Sequence, residues 1–300
     1  MQNLVVITGP TGVGKTATCL KLATHYGIPI INADSRQIYS GLCIGTAAPT
    51  PEQLSQVRHY FVGTLSVSDY YSASRYEEDV IHLLTHELSS SPLTLMSGGS
   101  MMYIDAVCNG IDDIPTIDEN TRVLLKQKLE KEGLESLCEE LRLLDPDYYE
   151  IVDRKNTRRV VHALEICYMT GHPYTRFRTH QQAARPFHII KIGLTRDRKE
   201  LYDRINRRVD MMMEEGLLEE VRRMLPYRHE NALNTVGYKE MFEYLDGNMT
   251  LEEAVERIKG STRRYCRKQL TWFKRDPSVQ WFHPDAYDDI IRHIEENMIR

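Results

Sequence analysis

The sequence LVVITGPTGVGKT at residues 4–16 places an apolar run directly before a glycine-rich loop. The run LVVIT is rich in β-branched residues and is typical of a buried strand. After the loop, KTATCLKLATHY at residues 15–26 has the composition and spacing of a helix, which Gly27 can end. The chain is therefore predicted to begin with a strand, a tight loop and a helix.

The loop fits the pattern G-x-x-x-x-G-K-[ST] through Gly9, Gly14, Lys15 and Thr16. The glycines let backbone N–H groups turn toward phosphate oxygens, and the following helix directs the positive end of its dipole to the same place. Lys15 adds a cation, and the Thr16 hydroxyl can ligate Mg²⁺. We expect the loop to hold a chain of phosphates.

Three further apolar runs are predicted to join the first strand in a parallel sheet. They are IPIINAD at 28–34, PLTLMSGGS at 92–100 and FHIIKIGLTRD at 187–197. Because helical patterns alternate with them, an α/β domain is indicated, with its ligand site at the carboxyl ends of the strands. Residues 116–171 have apolar residues at helical spacing and predict an inserted helical subdomain. We divide the chain into a core, 1–115 and 186–300, and an insertion, 116–185.

The composition restricts the class of protein. The chain has 300 residues, 41% of them hydrophobic, which is enough for one large core and a smaller one. No apolar run approaches the length of a membrane span, and nothing before Leu4 resembles a targeting signal, so a cytoplasmic protein is expected. The six cysteines are scattered without a C-x-x-C pair, which favours neither a disulfide framework nor a zinc site.

Two basic segments stand out against a formal net charge of −5. Residues 257–275 contain eight Lys or Arg and no acid, and residues 154–159 read RKNTRR. Either segment alone is typical of a solvated helix face. Together they indicate local positive surfaces that could meet a polyanion.

The acidic residues near the loop decide between kinds of phosphate chemistry. A nucleotide hydrolase usually has an acid at the end of a neighbouring strand, but PLTLM is followed by Ser97, Gly98, Gly99 and Ser100. The available carboxylate is Asp34, after the second strand. It could ligate a metal, act as a general base or cap the next turn.

An ordered set of motifs resembles the family of bacterial tRNA dimethylallyltransferases, or IPP transferases. After GPTGVGKT come NADSRQIY, IGTAAP, SGGSMMYIDAV, TRRVVHALEICYMTGHP, LYDRINRRVDMMMEEGLLEEV, NTVGYKE and STRRYCRKQLTWFKR. The resemblance extends from Leu4 to about Trp281. It implies a P-loop NTPase-like α/β core with a parallel sheet flanked by helices, plus the mainly α-helical insertion.

The implied reaction transfers a dimethylallyl group from dimethylallyl diphosphate to the exocyclic N6 amine of the adenosine 3′-adjacent to the tRNA anticodon. The loop would then hold the leaving diphosphate, with Mg²⁺ at Thr16. By the same resemblance, Asp34 would accept the proton of the amine, Arg208 would neutralise the diphosphate, and the Thr11 hydroxyl would contact either substrate. On sequence alone, the favoured interpretation of Arg208 is a surface arginine of an amphipathic helix. The residues implied in diphosphate binding are Gly9, Pro10, Thr11, Gly12, Val13, Gly14, Lys15 and Thr16.

The resemblance also implies a surface for the anticodon stem-loop, which must release the target base from its stack. Its residues are Asp34, Ser35, Arg36, Gln37, Ser100, Arg122, Arg158, Arg159, His162, Asn234, Thr235, Val236, Gly237, Tyr238, Lys239, Arg267, Lys268, Gln269 and Lys274. His162 stands where many members have arginine, and Ser100 where threonine is usual. Tyr238 and Trp272 are either stacking rings or core aromatics.

Two alternatives to a monomeric tRNA-modifying enzyme remain at this stage. One is an enzyme that uses free nucleotide, either a P-loop kinase or an adenylate isopentenyltransferase. The breadth of the basic segments argues against it, because a mononucleotide needs no such surface. The other is a non-catalytic RNA-binding module with a vestigial loop, against which the intact Lys15, Thr16 and Asp34 argue.

Overall fold

A computed structural model describes residues 1–112, 114–179 and 183–299. The backbone contacts divide the chain into two compact units. One unit comprises residues 1–108 and 184–300, and the other comprises residues 109–183. These limits lie two to seven residues from the sequence-based division at 116 and 185. The tRNA contacts that the resemblance implies for Arg122, Arg158, Arg159 and His162 of the second unit stay predictions.

The first unit contains a six-stranded sheet in which every neighbouring pair of strands is parallel. The strand order is β3-β2-β4-β1-β5-β6. The strands are β1 (Gln2–Thr8), β2 (Ile30–Asn32), β3 (His59–Tyr60), β4 (Leu93–Ser97), β5 (Phe187–Leu194) and β6 (Gln280–Phe282). The predicted parallel sheet is confirmed, and the four predicted strands occupy its centre.

Helices cover the sheet and account for most of the remaining chain of the first unit. Before the second unit come α1 (Lys15–Tyr26), α2 (Pro51–Gln56), α3 (Ala73–Thr85) and α4 (Met101–Asn109). After it come α8 (Arg198–Glu214), α9 (Leu217–Met224), α10 (Tyr238–Leu245), α11 (Leu251–Phe273) and α12 (Tyr287–Asn297). The breaks between α8 and α11 fall near the glycines and the proline that predicted them.

Strand β1 shows why both faces of the sheet need covering. Its side chains alternate between two clusters: Val5 and Ile7 pack with residues of α1 and α8, whereas Leu4 and Val6 pack with residues of α3 and α4. All four side chains are buried, and each contributes roughly 1.5–3 kcal/mol of transfer free energy. A third apolar cluster joins α9, α10 and α11 to the segment after β2.

The second unit has its own core, built by α5 (Glu119–Leu144), α6 (Pro146–Ile151) and α7 (Thr157–Thr170). The long helix α5 is interrupted at Gly133, whose φ of 79° and ψ of 170° are not helical. Asp145 is buried and organises the following turn, because its carboxylate accepts hydrogen bonds from the backbone amides of Tyr148 and Thr175. The predicted helical character of this region is confirmed.

Two expectations about composition can be compared with the described residues. All six cysteines are free, and five of them are buried. Within the described ranges, no helix is both long and apolar enough to cross a membrane.

Candidate active site at the carboxyl edge of the sheet

The loop between β1 and α1 begins with a glycine that the fold requires. Gly9 has a φ of 146°, in the region that favours glycine, and a Cβ built there would lie 2.7 Å from the carbonyl oxygen of Leu194. The loop can therefore pass directly over the end of β5 only because residue 9 has no side chain.

Arginines from outside the loop bind its outward carbonyl groups. Arg204 Nε donates to Gly12 O at 2.8 Å, and Arg196 Nε donates to Val13 O at 2.9 Å. With the carbonyls held outside, the amides can face inward. Among them, the amides of Gly12, Gly14, Lys15 and Thr16 donate to no acceptor in the part of the chain that the structure describes.

Lys15 lies against the same loop from within. Its Nζ donates to Gly9 O at 2.8 Å and to Pro10 O at 3.0 Å. Burial and then the nearby charge of Arg208 lower the pKa of Lys15, to about 8, while the charge of Asp34 opposes the shift. The ammonium group is thus positioned in a poorly hydrated, electropositive place, where an anion would be bound strongly.

Two further loop amides are already used inside the protein. Val13 N donates to Pro10 O at 3.3 Å, and Thr11 N donates to Gln269 Oε1 at 2.8 Å. Gln269 Nε2 in turn donates to Gly99 O at 2.9 Å, and the side chain is 1% exposed. The Gln269 amide is thus enclosed between the loop and the turn after β4, and its contact with tRNA stays a prediction.

Asp34 follows β2 at the same edge of the sheet. Its Oδ1 accepts hydrogen bonds from the amides of Arg36 at 2.9 Å and Gln37 at 3.3 Å, which fixes the carboxylate on the turn. Its Oδ2 has no hydrogen-bond partner among the described residues. Oδ1 thus caps the turn after β2, as one of the alternatives from the sequence proposed, and Oδ2 is available to a ligand.

Arg208 comes to this site from α8. Its Nη1 lies 3.4 Å from the Thr11 hydroxyl oxygen. Burial lowers the pKa of Arg208, and the charge of Asp34 opposes that lowering. The alternative that Arg208 lies on a solvated helix face is wrong. The structure therefore gathers the three residues predicted to be catalytic, Asp34, Thr11 and Arg208, around Lys15.

Ser100 joins the turns that follow β2 and β4. Its hydroxyl oxygen accepts from Ser35 N at 2.7 Å, and its hydroxyl donates to the Ser35 hydroxyl oxygen at 3.0 Å. The residue is largely buried. Its visible role is to hold the backbone beside Asp34, and a direct contact with tRNA stays a prediction.

The two aromatic residues left open by the sequence are core residues. Tyr238 is 0% exposed, so a stacking contact with tRNA is wrong for its ring. Trp272 is half-buried against the apolar cluster of α3 and α4, and its Nε1 donates to Asp105 Oδ2 at 2.9 Å. The guanidinium of Arg275 covers the Trp272 ring at 3.7 Å from its centre.

The sequence did not single out Tyr265, which borders the site on α11. Its hydroxyl donates to Gly99 O at 3.4 Å. Burial, with a smaller effect from Asp34, raises its pKa to about 12, so the phenol is neutral at physiological pH. The sequence offered one signal, because Tyr265 lies in the motif STRRYCRKQLTWFKR.

The remaining residues predicted to bind tRNA in the first unit differ in exposure. Arg36 donates to the carbonyl of Asn231 at 2.8 Å, and Arg267 donates to the Tyr202 hydroxyl at 3.1 Å. The backbone of Gly237 is buried and its amide donates to Glu240. Asn234, Lys239, Lys268 and Lys274 are exposed, while Thr235 and Val236 are half-buried.

The second unit presents a basic surface of its own. Arg158 and Arg159 are exposed at the start of α7, where the Asn156 side chain accepts a hydrogen bond from the Arg159 amide. His162 lies one turn later with its ring 5.5 Å from that of Tyr174. Burial and then the charge of Arg122 lower the pKa of His162, so it is uncharged at neutral pH.

Arg178 extends this surface and was missed by the sequence analysis. Its guanidinium lies 5.1 Å from the ring centre of Tyr148 and 5.9 Å from that of Tyr174. Stacking on two rings orders an arginine before any ligand arrives. Arg178 lies beyond the end of the helical pattern of α7, and no motif in the sequence marks it as a contact residue.

Thr16 is the residue of the loop that could ligate a metal. It is exposed at the start of α1, and its hydroxyl has no hydrogen-bond partner among the described residues. Within the same ranges no group of three or more His, Cys, Asp or Glu side chains could hold a metal ion. A single hydroxyl fits Mg²⁺ that is carried mainly by substrate oxygens and water.

The chain is similar to known proteins over nearly all of its length. Residues 37–276 match the family model described as IPP transferase. The chain is 62% identical to tRNA dimethylallyltransferase 1 of Phocaeicola vulgatus, over 98% of both chains. It is 61% identical to tRNA dimethylallyltransferase 1 of Bacteroides thetaiotaomicron, over 98% of this chain and 96% of the relative.

Solved structures agree in fold. The full-length tRNA isopentenylpyrophosphate transferase of Bacillus halodurans superimposes with a TM-score of 0.71 and 36% identity, covering 99% of this chain and 98% of that one. A eukaryotic dimethylallyltransferase acting on tRNA gives a TM-score of 0.83 at 23% identity. It covers 98% of this chain and 78% of its own, and this likeness bears on the fold alone.

Proposed function

The chain belongs to the IPP transferase family, and from this premise we propose how its residues transfer a dimethylallyl group to tRNA. The reaction attaches that group to the exocyclic N6 amine of the adenosine 3′-adjacent to the anticodon. The observation that carries the proposal is one cluster at the carboxyl edge of the sheet, where a loop with unused amides adjoins Asp34, Lys15 and Arg208.

The donor in this proposal is dimethylallyl diphosphate, and its diphosphate lies in the loop of residues 9–16. The unused amides of the loop would donate to the phosphate oxygens, and Lys15 would exchange its two carbonyl partners for the diphosphate. Charge neutralisation matters because the C1–O bond of the donor breaks with its electron pair leaving on the diphosphate. Lys15 and Arg208 would stabilise that developing charge.

Asp34 acts on the other partner of the reaction. The N6 nitrogen attacks C1 of the dimethylallyl group, forming the N–C bond as the C–O bond breaks, and it must lose one proton. Asp34 Oδ2 would accept that proton, since Oδ1 is occupied by two backbone amides. The Thr11 hydroxyl, beside Arg208, would help to align the two substrates.

Mg²⁺ is the proposed cofactor. The Thr16 hydroxyl would hold it, together with oxygens of the bound diphosphate and water. When bound, the ion supplies further neutralisation of the leaving group.

The RNA partner in the proposal is the anticodon stem-loop. Extruding a base from a single-stranded loop costs a few kcal/mol, which contacts between basic residues and the RNA backbone would offset. Exposed cations of both units fit such contacts, among them Arg158, Arg159, Lys239 and Lys268. We propose that the enzyme acts as a monomer in the cytoplasm.

The test incubates the protein with dimethylallyl diphosphate labelled in the alkyl group, Mg²⁺ and unmodified tRNA with adenosine 3′ of the anticodon. Label should appear in that adenosine. A parallel reaction offers free adenosine phosphates, and a third contains the tRNA with that adenosine replaced by guanosine. Label in the free nucleotides but not in RNA would overturn the proposal in favour of an adenylate isopentenyltransferase.

A further inference from the structure

Glu220 on α9 is a buried carboxylate that the proposed reaction does not use. Its side chain is 2% exposed and accepts four hydrogen bonds. Three come from consecutive backbone amides, Cys43 at 3.0 Å, Ile44 at 2.8 Å and Gly45 at 2.9 Å. The fourth comes from the Tyr238 hydroxyl at 2.6 Å. A buried carboxylate that accepts this many hydrogen bonds fixes the donor groups around it in place.

These contacts join the loop after β2 to the start of α10. A Cβ on Gly45 would lie 2.6 Å from the Tyr238 ring, and one on Gly237 would lie 3.9 Å from the Gly45 carbonyl oxygen. Gly45 therefore packs closely against Tyr238 and Gly237, beside the Glu220 carboxylate. Gly237 and Tyr238 belong to the surface predicted to meet tRNA.

The loop held by Glu220 in turn orients Gln37. The Gln37 Nε2 donates to the carbonyl oxygens of Thr46 and Ala47, both at 3.0 Å. Two acceptors facing one end of an amide identify that end as the NH₂ group. Gln37 Oε1 is left without a partner among the described residues. The backbone N–H of Gln37 donates to Asp34 Oδ1. Gln37 therefore lies next to the residue proposed to accept the proton.

We propose that Glu220 is a positioning residue that orients Gln37 so that Oε1 accepts a hydrogen bond from an amino group of the nucleotide at Asp34. This inference rests on the proposed function. The Glu220 carboxylate accepts from the backbone amides of residues 43–45 and so fixes the loop. The carbonyl groups of residues 46 and 47 in that loop then accept from the side-chain amide of Gln37. An acceptor at that place favours adenine, which carries an exocyclic amine, over guanine, which presents a carbonyl there.

The test is a double-mutant cycle on dimethylallyl transfer to tRNA, with Glu220→Gln and Gln37→Met. Glu220→Gln places an NH₂ group against backbone N–H donors, so the loop should move. We expect each single variant to lower kcat/KM for tRNA about tenfold, with KM for dimethylallyl diphosphate unchanged. The double variant should be no worse than the poorer single variant, because both changes remove the same contact.

Two further variants control for damage to the fold. Glu219→Gln changes the neighbouring acid, which is exposed and lies 3.8 Å from Arg222, and it should leave transfer unchanged. Tyr238→Phe removes one of the four hydrogen bonds to Glu220 and keeps the backbone contacts, so it should lower kcat/KM for tRNA by a smaller factor. That loss should also disappear in the Gln37→Met background.

The outcomes separate the two levels of inference. Additive losses in the Glu220 or Tyr238 cycles, or an equal loss of donor affinity, would overturn the positioning role while leaving the proposed function intact. Absence of transfer to tRNA by the wild-type protein would overturn the proposed function, and this inference with it.

Discussion

Two loops that follow strands of the sheet differ in which of their backbone groups are bound by the protein itself. In the loop of residues 9–16, arginines bind the outward carbonyls of Gly12 and Val13, and several amides are left unused. In residues 43–47, the protein's own Glu220 occupies three amides, and the carbonyls hold Gln37. The first loop is prepared for an anion from outside, whereas the second already contains its anion.

The difference teaches what makes a backbone loop an anion site. Clustered amides alone do not suffice, because a buried carboxylate can satisfy them permanently. A ligand site also needs cations that hold the carbonyls away and a lysine that can exchange partners. Lys15 meets that need, since its two carbonyl contacts are weaker partners than a diphosphate would be.

The largest effect should come from removing that lysine. Lys15→Met keeps the length of the side chain but deletes the cation that faces the leaving group. We expect kcat/KM for the donor to fall roughly 10³-fold, in line with loss of a preorganised charge contact. Steady-state kinetics with varied dimethylallyl diphosphate would measure it. Lys21→Met, an exposed change on the same helix, should have no effect.

The second prediction concerns the acceptor side of the comparison. Asp34→Asn retains an Oδ1 that can accept from Arg36 and Gln37, so the turn should persist. The amide cannot take up the proton, and we expect kcat to fall about 10²-fold or more. Affinity for tRNA, measured by filter binding, should change little. A loss of tRNA affinity with unchanged kcat would instead assign Asp34 to orienting the amine.

The third prediction addresses the close packing of the second loop. Gly45→Ala places a methyl group 2.6 Å from the Tyr238 ring, and we expect it to cost about 1–3 kcal/mol of unfolding free energy. Denaturant unfolding would measure the change. Gly260→Ala is the matched control, because the nearest atom to its added Cβ is at 3.8 Å and the residue lies within helix α11. A neutral Gly45→Ala would contradict the described packing.

The smallest predicted effect is a pH dependence of donor binding. The pKa of Lys15 is about 8 in the free protein, and a bound diphosphate should raise it. Lys15 is charged below pH 8 in both states, so the affinity should be constant there. Above pH 8 only the complex keeps the proton, and affinity should fall up to about tenfold per pH unit. Titration of inorganic diphosphate between pH 7 and pH 9.5 would test this, with a flatter profile for Lys15→Met.

Much of the sheet could be predicted because its central strands are buried and lie within apolar runs of the sequence. Strands β3 and β6 were missed, since two or three residues at a sheet edge have no periodic pattern to recognise. Helix α1 was predicted with its observed bounds from an amphipathic run ended by glycine. Local sequence patterns therefore predict the strands and helices that carry a clear apolar pattern, and they miss short segments without one.

The site was predictable only where a motif specifies backbone geometry. The phosphate loop follows from its glycines and lysine, but Gln269 and Tyr238 were expected at the RNA surface and lie inside. The sequence did not single out Glu220. Its position between Leu217 and Val221, on the apolar side of α9, was the available signal. Its amide partners are about 175 residues away in sequence, and no local pattern reports such contacts.

The central claim is that the loop of residues 9–16 holds a leaving group. The direct measurement uses dimethylallyl diphosphate with one label in the alkyl group and another in the diphosphate, reacted with unmodified tRNA. The account predicts that each alkyl label entering RNA is matched by one intact, free diphosphate, and that Lys15→Met slows both together. Release of orthophosphate, or alkyl transfer that Lys15→Met leaves unchanged, would contradict it.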